Sequence, residues 1–248
     1  MLFFVLLSWT VAGQTSLQVR VLTFNIEAGA VASLDELAQF IREQAPDVVA
    51  LQEVDCHTAR AKVPANRNKD FITELGQKSG MLAAYGKTIP LGTGYYGIGI
   101  LSRFPMSKIE RVYLPNLGGE QRAVLIADIE YADNRYFTFA CTHLQHTSAK
   151  ERLAQVDTLN KILQNRPCPT LLCGDFNARP DATEIKSGMK LWKKLCSDTP
   201  THPSDNPKAK IDYIFGFPAD RWITNQPLNW QVILSDHCPI GAIVEMKY

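Results

Sequence analysis

Asp175 and Asn177 are the first candidates for chemistry in this chain, because they stand two positions apart behind an apolar run. Residues 170–173 are mostly apolar and indicate a buried strand that stops at Gly174. Residues two apart on an extended backbone project the same way, so a carboxylate and an amide would lie around one reactive atom. Asp and Asn after a strand are also common turn formers, and this pair alone leaves both interpretations open.

Similar polar residues follow several other strand-like segments. Since a folded sheet brings its strand ends together, we expect these side chains to gather at one edge. Burying several carboxylates side by side is unfavourable unless a cation neutralises them, and oxygen-rich sites favour Mg²⁺, Mn²⁺ or Ca²⁺ over zinc. A lone histidine after a strand is more often structural, whereas several polar residues at successive strand ends together indicate a site. The set is Asn25, Glu27, Glu53, His143, Asp175, Asn177, Asp212, Asp236 and His237.

Two strands with a helix between them would place the first of these residues. Residues 19–24 alternate as a strand does, and residues 33–44 have a helical apolar stripe. Ser33 and Glu36 form a capping box, and Pro46 ends the helix. Residues 47–51 indicate a second buried strand that ends at Gln52 and Glu53. Strands joined by a helix are usually neighbours and parallel, so their polar ends would lie side by side.

Further strands are indicated over 123–130, 136–141, 211–215 and 240–246, with a helix after Ser148. Glycines are interspersed with Tyr95 and Tyr96 ahead of a strand-like run at 98–102. We interpret this as a glycine-rich loop that enters a strand, since no helix follows as a phosphate-binding loop requires.

Length and composition suit one globular domain, which we place at residues 14–248 of the 248. The net charge is +1, so the chain lacks the basic footprint of a nucleic-acid-binding protein, although a nuclease is not excluded. Cys141 and Cys173 lie in strand-like runs, and we expect mostly free thiols among the six cysteines.

Residues 1–13 form an apolar run that is too short to span a bilayer and suits a signal peptide. We therefore expect an exported protein, in the periplasm, on the cell surface or outside the cell. The run lacks Lys and Arg, and the alternative is a buried first strand in a cytoplasmic protein. We expect no transmembrane segment in the mature chain.

An ordered set of motifs from about residue 19 to the end resembles the endonuclease/exonuclease/phosphatase superfamily. The resemblance implies an α/β fold, a four-layer sandwich of two mixed β-sheets face to face with helices on the outer faces. It also implies metal-dependent hydrolysis of phosphoester bonds. The motifs are Thr23-Phe24-Asn25-Ile26, Leu51-Gln52-Glu53-Val54, Ile100-Leu101-Ser102-Arg103, Thr142-His143-Leu144, Gly174-Asp175-Phe176-Asn177-Ala178, Ile211-Asp212-Tyr213 and Ser235-Asp236-His237.

The resemblance implies a divalent metal, most simply Mg²⁺, with Mn²⁺ or Ca²⁺ as alternatives. Glu53 would be its main ligand, with Asn25 helping to position metal and phosphate, and Asp236 a further ligand or ligand support. Asp175 would orient or deprotonate the attacking water, and Asn177 would hold a phosphoryl oxygen.

The remaining roles fall to histidines, an aspartate and an arginine. His237 would face the phosphate, oriented by Asp212, and His143 would donate to a phosphate oxygen. Arg122 stands where relatives often place a phosphate-binding arginine, but a surface arginine at a strand edge is an equal alternative. Glu27 departs from the aspartate of apurinic-site nucleases, which puts its part in the metal site in doubt. Either Asp175 or His237 could be the base.

The resemblance thus predicts a monomeric phosphoesterase, with a phosphodiesterase as the first hypothesis. Alternatives are a nuclease acting on DNA or RNA, or a sphingomyelinase-like or inositol-phosphate phosphatase. A catalytically silent binding module is the alternative of a different class, but its expected loss of a metal or water-activating residue is not seen in the motifs.

Overall fold

The computed structural model describes residues 16–61 and 63–247. The predicted signal peptide at residues 1–13 lies outside the described residues and stays a prediction, as does the domain boundary at residue 14. No helix among the described residues is long and apolar enough to cross a membrane.

The described residues form twelve strands and four α-helices. The strands are β1 (Ser16–Asn25), β2 (Val48–Cys56), β3 (Leu82–Leu91), β4 (Gly94–Ser102), β5 (Met106–Tyr113), β6 (Ala123–Ala132), β7 (Arg135–His143), β8 (Thr170–Asp175), β9 (Lys193–Lys194), β10 (Asp212–Phe217), β11 (Trp222–Asn229) and β12 (Ile240–Lys247). The helices are α1 (Leu34–Gln44), α2 (Phe71–Ser79), α3 (Ala149–Leu163) and α4 (Thr183–Lys186).

The strands build two mixed six-stranded sheets. The first has the order β11-β12-β1-β2-β4-β3 and the second β5-β6-β7-β8-β10-β9. The pairs β1–β2 and β7–β8 are parallel, because a helical crossover joins the two strands of each pair. The remaining ladders are antiparallel.

The core lies in layers because central strands are apolar on both faces. In β1, Val19 and Val21 pack into the cluster between the sheets, whereas Leu22 and Phe24 pack against α1 and α2. The other outer layer is α3, whose Val156 and its buried neighbours close the far side of the second sheet. The predicted four-layer α/β sandwich is confirmed.

Local signals set the helix ends as predicted. Ser33 and Glu36 make both bonds of the capping box on α1, and Ala45 adopts a left-handed conformation before Pro46. All six cysteines are free thiols.

The glycine-rich segment enters a strand as predicted, but the strand begins earlier: β4 starts at Gly94 and pairs with β2 and β3. Strand β3 was missed. A Cβ at Gly97 would lie 2.2 Å from the Gly86 carbonyl oxygen, so glycine is required here for close strand packing. Gly94 and Gly97, which looked like loop residues, are therefore strand residues, whereas Gly92 lies in the turn between β3 and β4.

Candidate active site

Polar side chains from both sheets meet at one rim of the sandwich. Asn25 ends β1, His143 ends β7, Asp175 ends β8 and Asp212 begins β10. The strand registers place Asp175 opposite both His143 and Asp212. The sheets pack face to face, so these strand ends, distant in sequence, become neighbours.

A cavity of 340 Å³ opens at this rim. Most of the predicted site residues line it. Asn25 and Asp212 bind to residues that do, and Glu27 accepts from the backbone N–H of Asp236, which also lines it. The lining residues are Glu53, Tyr96, Glu120, Arg122, His143, His146, Asp175, Asn177, His202, Asp236 and His237.

The sequence predicted that Glu53 lies at the end of its strand. In the structure it reaches the cavity from within the strand. Strand β2 continues to Cys56, and its register with β4 shifts between Gln52 and Val54. Glu53 has a φ of 58° in this β-bulge. A bulge leaves one residue unpaired and re-aims its side chain, which here brings the carboxylate to the cavity.

Asn25 joins carboxylates from the two sheets. Its Nδ2 donates to Glu53 Oε1 at 3.1 Å and to Asp175 Oδ2 at 3.2 Å. Its Oδ1 accepts from the backbone N–H of Glu27 at 3.1 Å. The amide therefore holds the two acids together at the rim.

Asp175 is both a turn-forming residue and a carboxylate of the site, the two interpretations that the sequence left open. Its Oδ1 accepts from the backbone N–H of Asn177 at 2.8 Å, as in an Asx turn, while Oδ2 faces Asn25. Asn177 has a φ of 50°, and its Nδ2 donates to the Leu144 carbonyl at 3.1 Å. Burial, together with Asp212, raises the pKa of Asp175 to about 7. The turn thus holds a carboxyl group that can exchange a proton near neutral pH.

His237 is held between two buried carboxylates. Its Nδ1 lies 2.9 Å from Asp212 Oδ2, and its Nε2 lies 3.7 Å from Asp175 Oδ2. Burial opposes the charge on the ring, but Asp212 and Asp175 outweigh it and raise the pKa of His237 to about 10. Burial also works against ionisation of Asp212, yet His237 lowers the pKa of that carboxyl. The pair is therefore an imidazolium with its counter-ion.

His143 is neutral at the same rim. Its Nε2 lies 3.5 Å from Asp175 Oδ2, and its buried Nδ1 has no hydrogen-bond partner among the described residues. Burial, helped by the charge of Arg122, holds the pKa of His143 well below its usual range. A neutral ring with one unused nitrogen can bind a substrate oxygen.

Arg122 is buried, with 3% of its surface exposed, and is not the surface residue of the alternative interpretation. Its Nη1 lies 3.1 Å from Glu120 Oε1, and its Nη2 lies 3.3 Å from His146 Nδ1. Its Nε has no hydrogen-bond partner within the part of the chain that the structure describes. The guanidinium is thus fixed in the cavity wall, and its Nε–H donor is unpaired.

Four lining residues stand outside the predicted site: Tyr96, Glu120, His146 and His202. The Nε2 of His202 lies 3.8 Å from Asp236 Oδ2, and its ring lies 4.8 Å from the ring of His237. His202 follows no strand, so no local pattern marks it. Tyr96 could have been found had the segment 92–99 been recognised as a strand.

The donor set suits a hard divalent cation. Glu53, Asp175 and Asp236 place three carboxylates in one cavity, and oxygen ligands are those that Mg²⁺, Mn²⁺ and Ca²⁺ prefer. Negative charge is crowded here: burial and Asp236 raise the pKa of Glu27, whose Oε2 accepts from the backbone N–H of Asp236 at 3.2 Å. A cation would relieve this repulsion.

Comparison with known proteins identifies the family. The model of the Endonuclease/Exonuclease/phosphatase family matches residues 22–237. The chain belongs to this family. Members of the endonuclease/exonuclease/phosphatase family are mostly hydrolases that act on phosphoesters and generally use divalent metals.

Similar proteins cover nearly the whole chain. The uncharacterised protein YbhP of Escherichia coli K12 is 28% identical, over 92% of this chain and 96% of its own. An endonuclease/exonuclease/phosphatase from Beutenbergia cavernae is 21% identical with a TM-score of 0.78, over 93% of this chain and 72% of its own. Bacteroides thetaiotaomicron mannosyl-6-phosphatase Bt3783 is 12% identical with a TM-score of 0.71, over 91% of this chain and 99% of its own. The two solved structures bear on the fold alone.

Proposed function

We propose that this protein is a metal-dependent phosphoesterase, and in the first place a phosphodiesterase. The observation that carries the proposal is the buried contact network around Asp175. This carboxyl group bonds to Asn25 at 3.2 Å and lies within 3.5–3.7 Å of His143 and His237, while Asp212 holds His237 at 2.9 Å. Family membership supplies the reaction class, and this network supplies the groups for it.

Glu53, with Asp236 and Asn25, would hold the cation, which when bound polarises a phosphoryl oxygen and offsets its negative charge. Asp175 would take the proton of the attacking water, since a carboxyl with a pKa of about 7 is a useful base at neutral pH. His237 is charged in that range and therefore already carries its proton. The choice of base left open by the sequence thus goes to Asp175.

The remaining groups would stabilise charge on the phosphate. His237 would donate from Nε2 to a phosphoryl oxygen, with Asp212 fixing the ring through Nδ1. His143 and Asn177 would each donate to an oxygen from the facing wall, and Arg122 would contribute spare N–H donors of its guanidinium. These donors are held in place before substrate binds, which favours the transition state over the substrate.

The deciding experiment measures hydrolysis of bis(4-nitrophenyl) phosphate with Mg²⁺ and with EDTA, for the wild type and His237→Ala. We expect EDTA to abolish turnover and His237→Ala to lower kcat by roughly 10²–10⁴-fold. Asp128→Asn is the matched control, because Asp128 is also a buried aspartate but bonds to Thr138 inside the second sheet. Turnover that survives both EDTA and the His237 substitution would contradict the proposal.

A panel of plasmid DNA, sphingomyelin and sugar phosphates separates the alternative activities. Failure on every ester, together with normal Mg²⁺ binding, would indicate the silent binding module. Export by residues 1–13 stays a prediction that N-terminal sequencing of the mature protein would test.

A further inference from the structure

A second, smaller cavity of 140 Å³ adjoins the reaction centre. Glu53, Tyr96 and Glu120 line both cavities, so the two are adjacent. Arg60 and the aliphatic side chains of Ile89 and Leu91 complete the smaller one, which we call the side pocket. Its place beside Glu53 makes it the natural position for an organic group attached to a phosphate at the centre.

Arg60 is held in the side pocket by Asp55 and Tyr96. Its Nε donates to Asp55 Oδ2 at 2.6 Å and its Nη2 to Asp55 Oδ1 at 2.9 Å. Asp55 is 2% exposed and also accepts from the Thr58 hydroxyl at 2.5 Å. The guanidinium stands over the Tyr96 ring, 5.2 Å from its centroid. A bidentate pair and a stacked ring fix the group far better than the usual surface arginine.

The fixed guanidinium keeps donors free for a ligand. An arginine has five N–H groups, and the fork to Asp55 engages one edge of the group only. Glu120 supplies carboxylate oxygens in the same pocket. Donors and acceptors therefore stand together, as hydroxyl groups require, because each hydroxyl both donates and accepts.

Charge and polarity select among ligand classes. Asp55 balances the charge of Arg60, and Arg122 pairs with Glu120, so the groups that line the side pocket offer a second phosphate no excess of positive charge. An acyl chain would leave the Arg60 donors unpaired, which is unfavourable in a part-buried pocket. A neutral polyhydroxylated group satisfies the donors and acceptors and can rest its C–H faces on Ile89, Leu91 and Tyr96.

We propose that the side pocket binds a neutral, polyhydroxylated group of the substrate, a sugar or polyol esterified to the reacting phosphate, and that Arg60 is its recognition residue. The inference rests on the proposed phosphoesterase function. Arg60 lies in the loop that follows β2, and the same loop carries Arg67. The exposed Arg67 of the same segment gives a matched control.

The test compares esters that differ in the organic group and not in the reactivity of the leaving alcohol. Glucose 6-phosphate is compared with ethyl phosphate, and glycerophosphoinositol with diethyl phosphate, each with Mg²⁺. We expect the wild type to prefer the polyhydroxylated ester of the pair that it hydrolyses. Arg60→Ala should reduce that preference, as the ratio of kcat/KM values, roughly 10–100-fold and mainly through KM, whereas Arg67→Ala should leave it unchanged.

Arg60→Lys guards against misfolding, because it keeps the charge beside Asp55 but loses the planar fork, and it should also reduce the preference. Two results would overturn the inference and leave the proposed function intact. One is a wild type that shows no preference within the pair, and the other is an Arg60 substitution that lowers kcat/KM equally for both esters. Greater loss on glucose 1,6-bisphosphate than on glucose 6-phosphate would overturn it in favour of a second phosphate. Absence of turnover on every ester would contradict the proposed function itself, and the inference with it.

Discussion

His237 stands between Asp212 and Asp175, and its charge depends on the first of these. Asp212→Asn keeps the shape of the contact at 2.9 Å but removes the counter-ion, so the pKa of His237 should fall toward its usual value. We expect kcat/KM at neutral pH to fall at least roughly 10-fold. NMR titration of the imidazole measures the pKa directly, with Asp128→Asn as the control. An unchanged His237 titration would show that Asp212 does not hold the charge.

The same charges make the metal-free protein sensitive to alkali. The pKa of His237 is raised from 6.5 to about 10, so its contribution to stability is complete below pH 6.5 and is lost as pH rises through 10. The contribution of Asp175, whose pKa rises from 3.8 to about 7, is lost earlier, between those values. Urea unfolding in EDTA should therefore show a decrease on the order of a few kcal/mol from pH 7 to 10.

His237→Gln isolates the histidine in that measurement. Its free energy of unfolding should change less between pH 7 and 10 than that of the wild type, whereas Asp128→Asn should follow the wild type. If the free energy of unfolding of wild type and His237→Gln changed equally with pH, the charge assigned to His237 would be contradicted.

At the scale of elements, the pairing of β4 with β2 and β3 places both Glu53 and Tyr96. Gly97 pairs with Val54, next to the bulge, and a Cβ there would lie 2.2 Å from the Gly86 backbone oxygen. Gly97→Ala should therefore lower the free energy of unfolding by about 1–3 kcal/mol and also reduce kcat/KM.

Gly86→Ala is the matched comparison, because its nearest neighbours, Leu125 Cβ and Ile98 Cγ1 at 3.1 and 3.2 Å, need to move by only a few tenths of an ångström. We expect a smaller loss of stability and nearly normal turnover. Equal effects of the two alanines in urea unfolding would show that strand spacing is not what Gly97 protects.

At the scale of the whole molecule, Asn25 links the two sheets across the rim. Asn25→Asp replaces two donated bonds, at 3.1 and 3.2 Å, with a third carboxylate beside Glu53 and Asp175. In EDTA the variant should lose about 1–3 kcal/mol of stability. Added Mg²⁺ should stabilise the variant more than the wild type, because binding to the native state relieves the repulsion.

Asn160→Asp is the control, since Asn160 donates to the Gly188 carbonyl from α3, away from the carboxylates. Its loss of stability should be the same with and without Mg²⁺. A Mg²⁺ response of Asn25→Asp no larger than that of this control would argue against a cation at the rim.

Prediction from sequence succeeded where local chemistry decides the outcome. The capping box of Ser33 and Glu36 lies within one helical turn, and the apolar runs of β1, β2 and β8 are buried on both faces in any fold that forms. The start of β4 at residues 94–97 was misread as a loop because glycine weakens a strand pattern, and only the approach of β3 explains the glycine at position 97.

Ordered motifs and strands that end beside polar residues were enough to predict the family, the layered fold and the acids and histidines at one rim. The folded protein was needed to see that Glu53 lies in a bulge, that Arg122 is buried, and that further residues line the cavities. These further residues are Tyr96, Glu120, Arg60 and His202. The physical reason is that these placements arise from contacts between distant segments, and such contacts leave no periodic pattern in the residues that make them.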